Sequence, residues 1–422
     1  TDPEEAVTKT KPFTIDKWQV VRAYELVKAN AGAAGIDQQS IADFDKNRKN
    51  NLYKLWNRLS SGSYCPAPVK AVAIPKKSGG ERILGIPSVS DRIAQMVVKM
   101  AFEPKVEPHF LPDSYGYRPG KSALDAIGIT RKRCWSYNWV LEFDIKGLFD
   151  NIPHELLLKA VDKHQPTAWI RLYIQRWLTA PMVMPDGEVR ARTQGTPQGG
   201  VISPLLANLF MHYVFEKWLQ QHYPNIPWCR YADDGLVHCR SESEAKHMLE
   251  VLRERFIACG LELHPEKTKI VYCKDGSRKG NYEHTSFDFL GYTFRRRVVK
   301  NRKRNSLFVS FTPAVSKVAL KAMRRKIKVL KVRSRTELNI AQLGGWLNPI
   351  INGWIGYYGR YNRSALYSLF RHINKALIRW ARRKYKTLRR HKTRTLKFLE
   401  GIATKSPRLF AHWRAGMVGR FS

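Results

Sequence analysis

This 422-residue sequence lacks long apolar runs and paired cysteines, and its last third has almost no acidic side chains. No stretch approaches the roughly 18–20 apolar residues that a membrane-spanning helix needs, so we expect no membrane partner. The six cysteines are dispersed and include no C-x-x-C pair, which argues against a disulfide framework or a zinc ribbon and fits a reducing cytoplasm. The polar, acidic start does not have the pattern of a secretory signal peptide.

The acidic residues are missing from one part of the chain only. Residues 291–422 carry 34 Lys and Arg but just two acids, Glu337 and Glu400, whereas residues 1–290 carry 40 bases and 33 acids. A segment this cationic repels itself unless a polyanion neutralises it. The C-terminal third therefore predicts binding of nucleic acid.

Apolar periodicity predicts two kinds of architecture. Helical spacing near 17–29 and 89–101, interleaved with β-like runs, predicts an α+β or α/β sheet domain for the N-terminal two thirds. The β-like runs are 69–74, 140–145, 228–239 and 269–273. In the basic third, two apolar stripes predict a small helical bundle with cations outward. We expect a tight turn and a short buried helix at 344–361, and a hinge into a small C-terminal module from Arg382.

Acidic residues stand where two apolar runs end or turn. Asp144 closes one run, and Asp233 and Asp234 interrupt the run 228–238 in a pattern typical of a hairpin. Taken singly, Asp144 fits a helix N-cap, and Asp233-Asp234-Gly235 fits a turn. Together, three carboxylates on adjacent strands would repel one another unless a divalent metal held them, and hard oxygen ligands select Mg²⁺ or Mn²⁺.

Two such ions about 4 Å apart would activate a 3′ hydroxyl for in-line attack on a nucleoside triphosphate. That chemistry needs cations that hold the triphosphate. The Gly-containing hairpin at 74–82 supplies two candidates, Lys76 and Arg82.

Seven sequence blocks then follow one another in a single order. They are GGERILGIPSVSDRIAQ at 79–95, SYGYRPGKSALDAI at 114–127, FDIKGLFDNIPHELL at 143–157, GTPQGGVISPLLANLFM at 195–211, YADD at 231–234, GLELHPEKTKI at 260–270 and FLGYTF at 289–294. YADD resembles the catalytic box of reverse transcriptases, and the order of the blocks resembles the bacterial group II intron-encoded reverse transcriptase/maturase family. The stretch GWLNPIINGWIGYYGRY at 345–361 resembles the thumb, or maturase, domain of that family.

The resemblance implies an α+β right-hand polymerase. Fingers and palm would occupy residues 1–310, a helical thumb/maturase (X) domain 311–382, and a basic, DNA-binding-like segment 383–422. It implies an RNA-directed DNA polymerase that also binds intron RNA for splicing and retrohoming, in the cytoplasm of a bacterium and associated with the nucleoid or an RNP. No Cys follows Cys273, so we expect no HNH endonuclease domain.

The resemblance also assigns roles to residues. Asp144 and Asp233 would be the principal metal ligands, the backbone carbonyl of Ile145 would add a ligand, and Asp234 would complete the acidic triad. Phe149 would exclude a ribose 2′-OH. The positions beside the nucleotide would be Lys76, Arg82, Phe149, Pro197, Gln198, Gly199 and Lys267. The cations expected to contact nucleic acid are Arg324, Arg325, Lys328, Arg382, Arg383, Lys384, Arg389 and Arg390.

The implied partners are intron RNA, an RNA template–DNA primer duplex, deoxynucleoside triphosphates and target DNA. Two alternatives stay open: a non-catalytic RNA-binding splicing cofactor, and a related reverse transcriptase of defence or repair that has no intron partner. Primer extension on an RNA template separates the first alternative from the polymerase. Splicing assays with the flanking intron RNA separate the second.

The basic third should give RNA binding a steep dependence on salt, because each neutralised phosphate releases counterions. Neutralising several of the cations at 382–384, 389 and 390 should flatten the plot of log affinity against log salt by roughly 0.7–0.9 per lost contact. Filter binding over a salt series measures the slope. An unchanged slope would place this cluster outside the RNA interface.

Overall fold

The computed structural model describes residues 11–75, 80–301 and 305–417. Its helices, in chain order, are α1 Lys17–Ala29, α2 Ile41–Lys46, α3 Arg48–Ser61, α4 Val89–Val106, α5 Ala123–Ser136, α6 Leu148–Asn151, α7 His154–Asp162, α8 Ala168–Thr179, α9 Ser203–Met211, α10 Lys217–His222, α11 Glu242–Ala258, α12 Lys317–Val329, α13 Ile340–Tyr358, α14 Tyr367–Lys384 and α15 Lys392–Lys405. A π-helical segment, His212–Glu216, joins α9 to α10. Among the described residues, no helix is long and apolar enough to cross a membrane.

The strands form three sheets. In chain order they are β1 Val69–Pro75, β2 Glu81–Ile86, β3 Trp139–Asp144, β4 Met182–Val183, β5 Val189–Arg190, β6 Trp228–Tyr231, β7 Asp234–Cys239, β8 Lys269–Tyr272, β9 Ser286–Phe289, β10 Tyr292–Asn301 and β11 Ser306–Val315. The strand orders are β2-β1-β4-β5, β6-β7-β3-β8 and β11-β10-β9. This mixture of helices and sheets confirms the expected α+β class.

The chain divides into two compact units. The first comprises Thr1–Ala126 and Leu141–Lys269, and the second comprises Ile127–Val140 and Ile270–Ser422. In the first unit, the predicted hairpin of β1 and β2 is present, with Ile74 opposite Arg82.

Helices of the first unit begin where capping residues stand. The Asp16 side chain accepts a hydrogen bond from the backbone of Trp18 at the start of α1, and Ser88 accepts one from Asp91 at the start of α4. Such caps satisfy backbone N–H groups that have no partner inside the helix. Both helices were predicted from apolar periodicity, and both predictions are confirmed.

Strand β3 places Asp144 beside the β6–β7 hairpin. Its apolar residues, such as Leu141 and Phe143, are almost fully buried, as expected of a strand covered on both faces. The neighbouring strand β7 approaches closely at Gly235, where an added Cβ would lie 2.0 Å from the Phe143 ring. Because these two residues adjoin Asp144 and Asp234, the contact brings the two acids to the same part of the sheet.

The second unit contains the β9–β11 sheet and a helical bundle. Its apolar cluster includes Met323 of α12, Leu347 of α13, Leu377 of α14 and Leu399 of α15. The cations of these helices lie largely on their outward faces, as the alternation of buried and exposed positions in α12 illustrates. The predicted helical bundle is therefore present.

Helix α13 differs from what its sequence indicated. A tight turn followed by a short helix was expected at 344–361, but one helix runs from Ile340 to Tyr358, with Pro349 inside it. Glycine in a helix costs about 1 kcal/mol relative to alanine, and this cost is outweighed because Leu343, Leu347 and Ile351 are fully buried. Gly344 also packs closely, since an added Cβ would lie 2.8 Å from the backbone oxygen of Leu409.

The basic run from Arg382 does not interrupt the core of the second unit. Helix α14 continues to Lys384, and Leu388, Phe410 and Trp413 belong to the same apolar cluster as the bundle. Residues 383–417 therefore pack on the bundle where a hinge was expected. The physical reason is that buried apolar residues are spaced among the cations that suggested an exposed linker.

Candidate active site

The β6–β7 hairpin presents one acid from its tight two-residue loop and a second from the first residue of β7. Tyr231 pairs with Asp234, so that Ala232 and Asp233 form the loop, and Gly235 lies within strand β7. Ala232 has a φ of +58°, the left-handed conformation that hairpin loops of this length require and that alanine adopts at an energetic cost. The Asp234-Gly235 pair is thus not the turn that a hairpin rule would select.

Asp144 ends strand β3 and is only 7% exposed. Its Oδ2 accepts a hydrogen bond of 2.5 Å from Nζ of Lys267, and its backbone oxygen accepts one of 2.8 Å from the backbone N–H of His264. Helix α6 begins after Gly147, so Asp144 is not the helix cap that it could have been. The hydrogen bond with Asp144 raises the pKa of Lys267, so that this lysine is a cation at neutral pH.

The three acids influence one another electrostatically. Partial burial, followed by the negative charges of Asp233 and Asp144, raises the pKa of Asp234 to about 7, although part of its side chain is exposed to solvent. Burial and the charge of Asp144 raise the pKa of Asp233 as well, while Arg82 and Lys267 oppose this rise. The expected clustering of Asp144, Asp233 and Asp234 is therefore present.

The donor chemistry of this cluster suits a hard divalent cation. Carboxylate oxygens are the ligands that Mg²⁺ and Mn²⁺ prefer. Besides burial, neighbouring negative charge raises the pKa of Asp233 and of Asp234, and a cation would offset that charge. Within the described residues, no three His, Cys, Asp or Glu side chains are already arranged to hold an ion. Lys267 is the group that neutralises Asp144 in this arrangement. Ile145, the expected backbone ligand, is buried and its strand-like bridge pairs it with Leu263.

A chain of hydrogen bonds joins strand β2 to helix α6. Arg82 Nε donates to Oε1 of Gln198, and Nε2 of Gln198 donates to Oδ2 of Asp150 at 2.8 Å. The residue before Asp150, Phe149, is 8% exposed, and its backbone oxygen accepts from the N–H of Thr196 at 2.7 Å. Arg82, Phe149 and Gln198 are therefore brought together as expected, and Asp150 joins them.

Backbone contacts fix the neighbouring segment 197–200. Gly199 has a φ of +130°, and an added Cβ would lie 2.5 Å from the backbone oxygen of Gly85, so only glycine fits there. The N–H of Gly85 in turn donates to the backbone oxygen of Gln198 at 2.9 Å. Pro197 is buried beside Gly85. Lys76, the remaining expected phosphate ligand, lies outside the described residues.

The eight cations expected to contact nucleic acid differ in exposure. Five of them are exposed: Arg325, Lys328, Arg383, Arg389 and Arg390. The other three are half-buried and donate hydrogen bonds within the second unit: Arg324 to Ser368, Arg382 to the backbone of Arg389, and Lys384 to the backbone of Thr336. These three therefore contribute to the fold as well as to the positive surface.

Three residues at the site were not predicted from the sequence. Tyr117 has a φ of +58°, and burial followed by the charge of Asp233 raises its pKa. Arg230 and Glu216 form a buried ion pair behind the hairpin. The available signal was Glu216 at the end of the largely apolar segment 204–216 and Arg230 within the largely apolar run 228–232, since buried charges persist only when they are paired.

Models of two protein families match the chain. The model described as reverse transcriptase (RNA-dependent DNA polymerase) matches residues 74–294, just over half of the chain. The model described as group II intron, maturase-specific domain matches residues 320–398.

Curated relatives extend these matches. Protein YkfC of Escherichia coli K12 is 32% identical over 353 residues, which cover 72% of this chain and 86% of YkfC. Group II intron-encoded protein LtrA of Lactococcus lactis is 33% identical over 201 residues, which cover 47% of this chain and 33% of LtrA. The chain thus spans most of the first relative and a third of the second.

Removing the charge of Asp234 should stabilise the metal-free protein above about pH 7. A pKa raised from 3.8 to about 7 means that the folded state retains a proton that the unfolded chain releases. This carboxyl group therefore costs stability increasingly as the pH rises from about 4 through 7. In EDTA, the Asp234→Asn variant should melt at a higher temperature than the parent protein at about pH 8, with a smaller difference at about pH 5.

Glu254→Gln is the matched control, because it removes one exposed carboxylate on α11 of the same unit. The Glu254→Gln variant should show no comparable pH-dependent rise in melting temperature. Calorimetric melting curves at both pH values measure the effect, and an Asn variant that is less stable than the parent at pH 8 would contradict the expected repulsion.

Proposed function

Since the chain belongs to the reverse transcriptase family of RNA-dependent DNA polymerases and carries a group II intron maturase-specific domain, we propose that it copies RNA into cDNA by metal-assisted nucleotidyl transfer. We propose further that it binds intron RNA and promotes splicing and retrohoming. The observation that carries the polymerase proposal is the cluster of Asp144, Asp233 and Asp234 with the cation Lys267.

The acids are the proposed metal ligands. Asp144 and Asp233 would hold the cations together with the backbone oxygen of Ile145, and Asp234 would complete the negative site. When bound, two Mg²⁺ ions, or Mn²⁺ as a substitute, supply charge that activates the 3′ hydroxyl and stabilises the leaving pyrophosphate. Burial and neighbouring negative charge raise the pKa of Asp233 and of Asp234, which supports this assignment because a divalent cation would offset that charge.

The nucleotide would lie against residues of the β1–β2 hairpin and helix α6. In the reaction, the 3′ oxygen of the primer forms a bond to the α-phosphorus as the bond to the pyrophosphate oxygen breaks. Lys76 and Arg82 would hold the triphosphate, Arg82 through paired N–H donors. Lys267, whose side chain is more than half exposed, would turn from Asp144 to the pyrophosphate. Gln198, with Pro197 and Gly199, would contact the nascent base pair.

The second unit is the proposed partner of RNA and of target DNA. Residues 291–422, which form most of this unit, carry 34 Lys and Arg but only two acids. This charge and the exposed Arg and Lys support binding to phosphate backbones. The maturase-specific match at 320–398 supports intron RNA as the specific partner. We retain 1–310, 311–382 and 383–422 as proposed boundaries of the polymerase, thumb and DNA-binding segments. Association with a bacterial nucleoid or RNP belongs to the same proposal.

Replacing one proposed metal ligand should abolish cDNA synthesis without loss of RNA binding. Asp233→Asn keeps the shape of the side chain and removes its charge, so that primer extension on an RNA template with Mg²⁺ should fall by at least about a hundredfold. Asp186→Asn, on an exposed loop between β4 and β5, should retain activity. If Asp233→Asn extends primers as fast as the parent, the proposed site is wrong. Loss of primer extension with normal affinity for intron RNA supports the proposed site.

Phe149 should set the preference for deoxynucleotides. Phe149→Ala removes the ring that would meet a ribose 2′-OH, so the ratio of kcat/KM for deoxynucleotides over ribonucleotides should fall by about tenfold or more. Phe149→Tyr keeps the ring and should keep the ratio. Steady-state extension with each nucleotide measures it, and because the ratio is taken on one preparation, a loss of stability does not affect it. Equal selectivity in the Ala variant would remove Phe149 from this role.

A further inference from the structure

Arg230 uses all of its hydrogen-bonding capacity behind the acidic hairpin. Its Nε donates to Glu216 Oε1 at 2.9 Å, and its Nη2 donates to Glu216 Oε1 at 2.5 Å and to Ser114 Oγ at 2.8 Å. Its Nη1 donates to Asn208 Oδ1 at 3.1 Å and to the backbone oxygen of Ala232 at 2.9 Å. A guanidinium has five N–H donors, and these five contacts engage every one of them.

The pair of Arg230 with Glu216 is completely buried. Arg230 is 1% exposed and Glu216 is not exposed at all. Burial would raise the pKa of Glu216, but Arg230 and His212 outweigh burial and lower it, so the pair is ionic. The second oxygen of Glu216 bonds with Nδ1 of His212 at 2.9 Å, and both residues belong to the π-helical segment His212–Glu216.

A buried ion pair is weak evidence for a role in stability, because desolvation offsets the attraction between its charges. Segments of π-helix, moreover, occur frequently at functional sites. The structure therefore invites a functional explanation for the charge pair at this position.

The contact with Ala232 links the buried pair to the acids. The backbone oxygen of Ala232 belongs to the peptide that joins Ala232 to Asp233, so Arg230 fixes the orientation of that peptide. Ala232 has the left-handed φ of +58°, a conformation that persists in alanine only when its surroundings hold it. Arg230 thus lies where it can hold both the loop and the direction of the Asp233 side chain.

The segment that contains Gly116 also packs against the loop of the hairpin. Gly116 lies so near the hairpin that an added Cβ would be 2.5 Å from the backbone nitrogen of Ala232. Asn208, which accepts from Arg230, donates to the backbone oxygen of Gly116 at 2.6 Å. The guanidinium of Arg230 therefore forms hydrogen bonds with the hairpin, the segment 113–116 and the π-helical segment.

We propose that Arg230, held by Glu216, is a positioning residue for the polymerase reaction, which sets the geometry of Asp233 through the backbone oxygen of Ala232. This inference rests on the proposed role of Asp233. Lysine could not replace arginine here, because a single ammonium group cannot supply five donors in a planar array to acceptors on three sides.

The test is Arg230→Lys, which keeps the charge and loses the planar donors. At saturating nucleotide and primer–template, kcat should fall by about ten- to hundredfold, since small misplacement of a reacting group is costly. The KM for nucleotide and the affinity for primer–template should stay within about twofold, because no substrate contact is lost. Hydrogen exchange of the metal-free protein should become faster within 228–239.

Arg278→Lys is the matched control. Arg278 is a half-buried arginine that donates to the backbone oxygens of Cys134, Trp135 and Cys273, away from the hairpin, so its variant should lose stability but keep kcat within about twofold. If Arg230→Lys does not fold, Glu216→Gln keeps the shape of the partner and should show the same loss of kcat at constant KM.

Three outcomes separate the possibilities. An active parent whose kcat falls only in the Arg230 and Glu216 variants supports the proposal. An active parent whose Arg230→Lys variant keeps its kcat, or loses it no more than an equally destabilised Arg278→Lys, overturns it. A parent that makes no cDNA, while Asp233→Asn is equally inert, contradicts the proposed polymerase function and removes the basis of this inference.

Discussion

Mutual repulsion among Asp144, Asp233 and Asp234 is the constraint on which the rest of the first unit depends. Burial and neighbouring negative charge raise the pKa of Asp233 and of Asp234, so the acids would separate unless the surrounding structure prevented it. The cluster therefore requires rigid supports in two elements that are far apart in sequence, β3 and the β6–β7 hairpin. Lys267 supplies part of the missing positive charge, and a divalent cation would supply more than one lysine can.

The supports are groups that leave little room for movement. Gly235 lets β7 lie against Phe143 of β3, and Gly116 lets its segment lie against the loop residue Ala232. The ion pair of Arg230 and Glu216 joins the hairpin to the segment 113–116. Such positions tolerate neither an added methyl group nor a lost charge, because a shift at any of them would change the distances between the acids.

The parts of this site that could be predicted from sequence are those encoded locally. Short sequence patterns indicate the buried strand that ends in Asp144, the acidic hairpin and the ordered blocks. The family matches confirm the interpretation of the blocks. The contacts of Lys267 with Asp144, 123 positions apart, and of Gln198 with Asp150 depend on how distant segments pack. The prediction for helix α13 was wrong because glycines favour a turn locally, whereas burial of Leu343, Leu347 and Ile351 stabilises the helix.

The second unit meets an electrostatic constraint of the opposite sign. Only two acids accompany the 34 cations of residues 291–422, so ion pairs cannot neutralise this segment, and apolar burial must hold it together against self-repulsion. The cluster around Leu347, Leu377 and Trp380 does so, while the exposed cations remain available for phosphate groups. The proposed binding of RNA through these cations would require the folded form, so RNA should also stabilise the unit, as any ligand specific for the native state does. The same surplus of positive charge thus opposes folding of the isolated protein and favours folding of the complex.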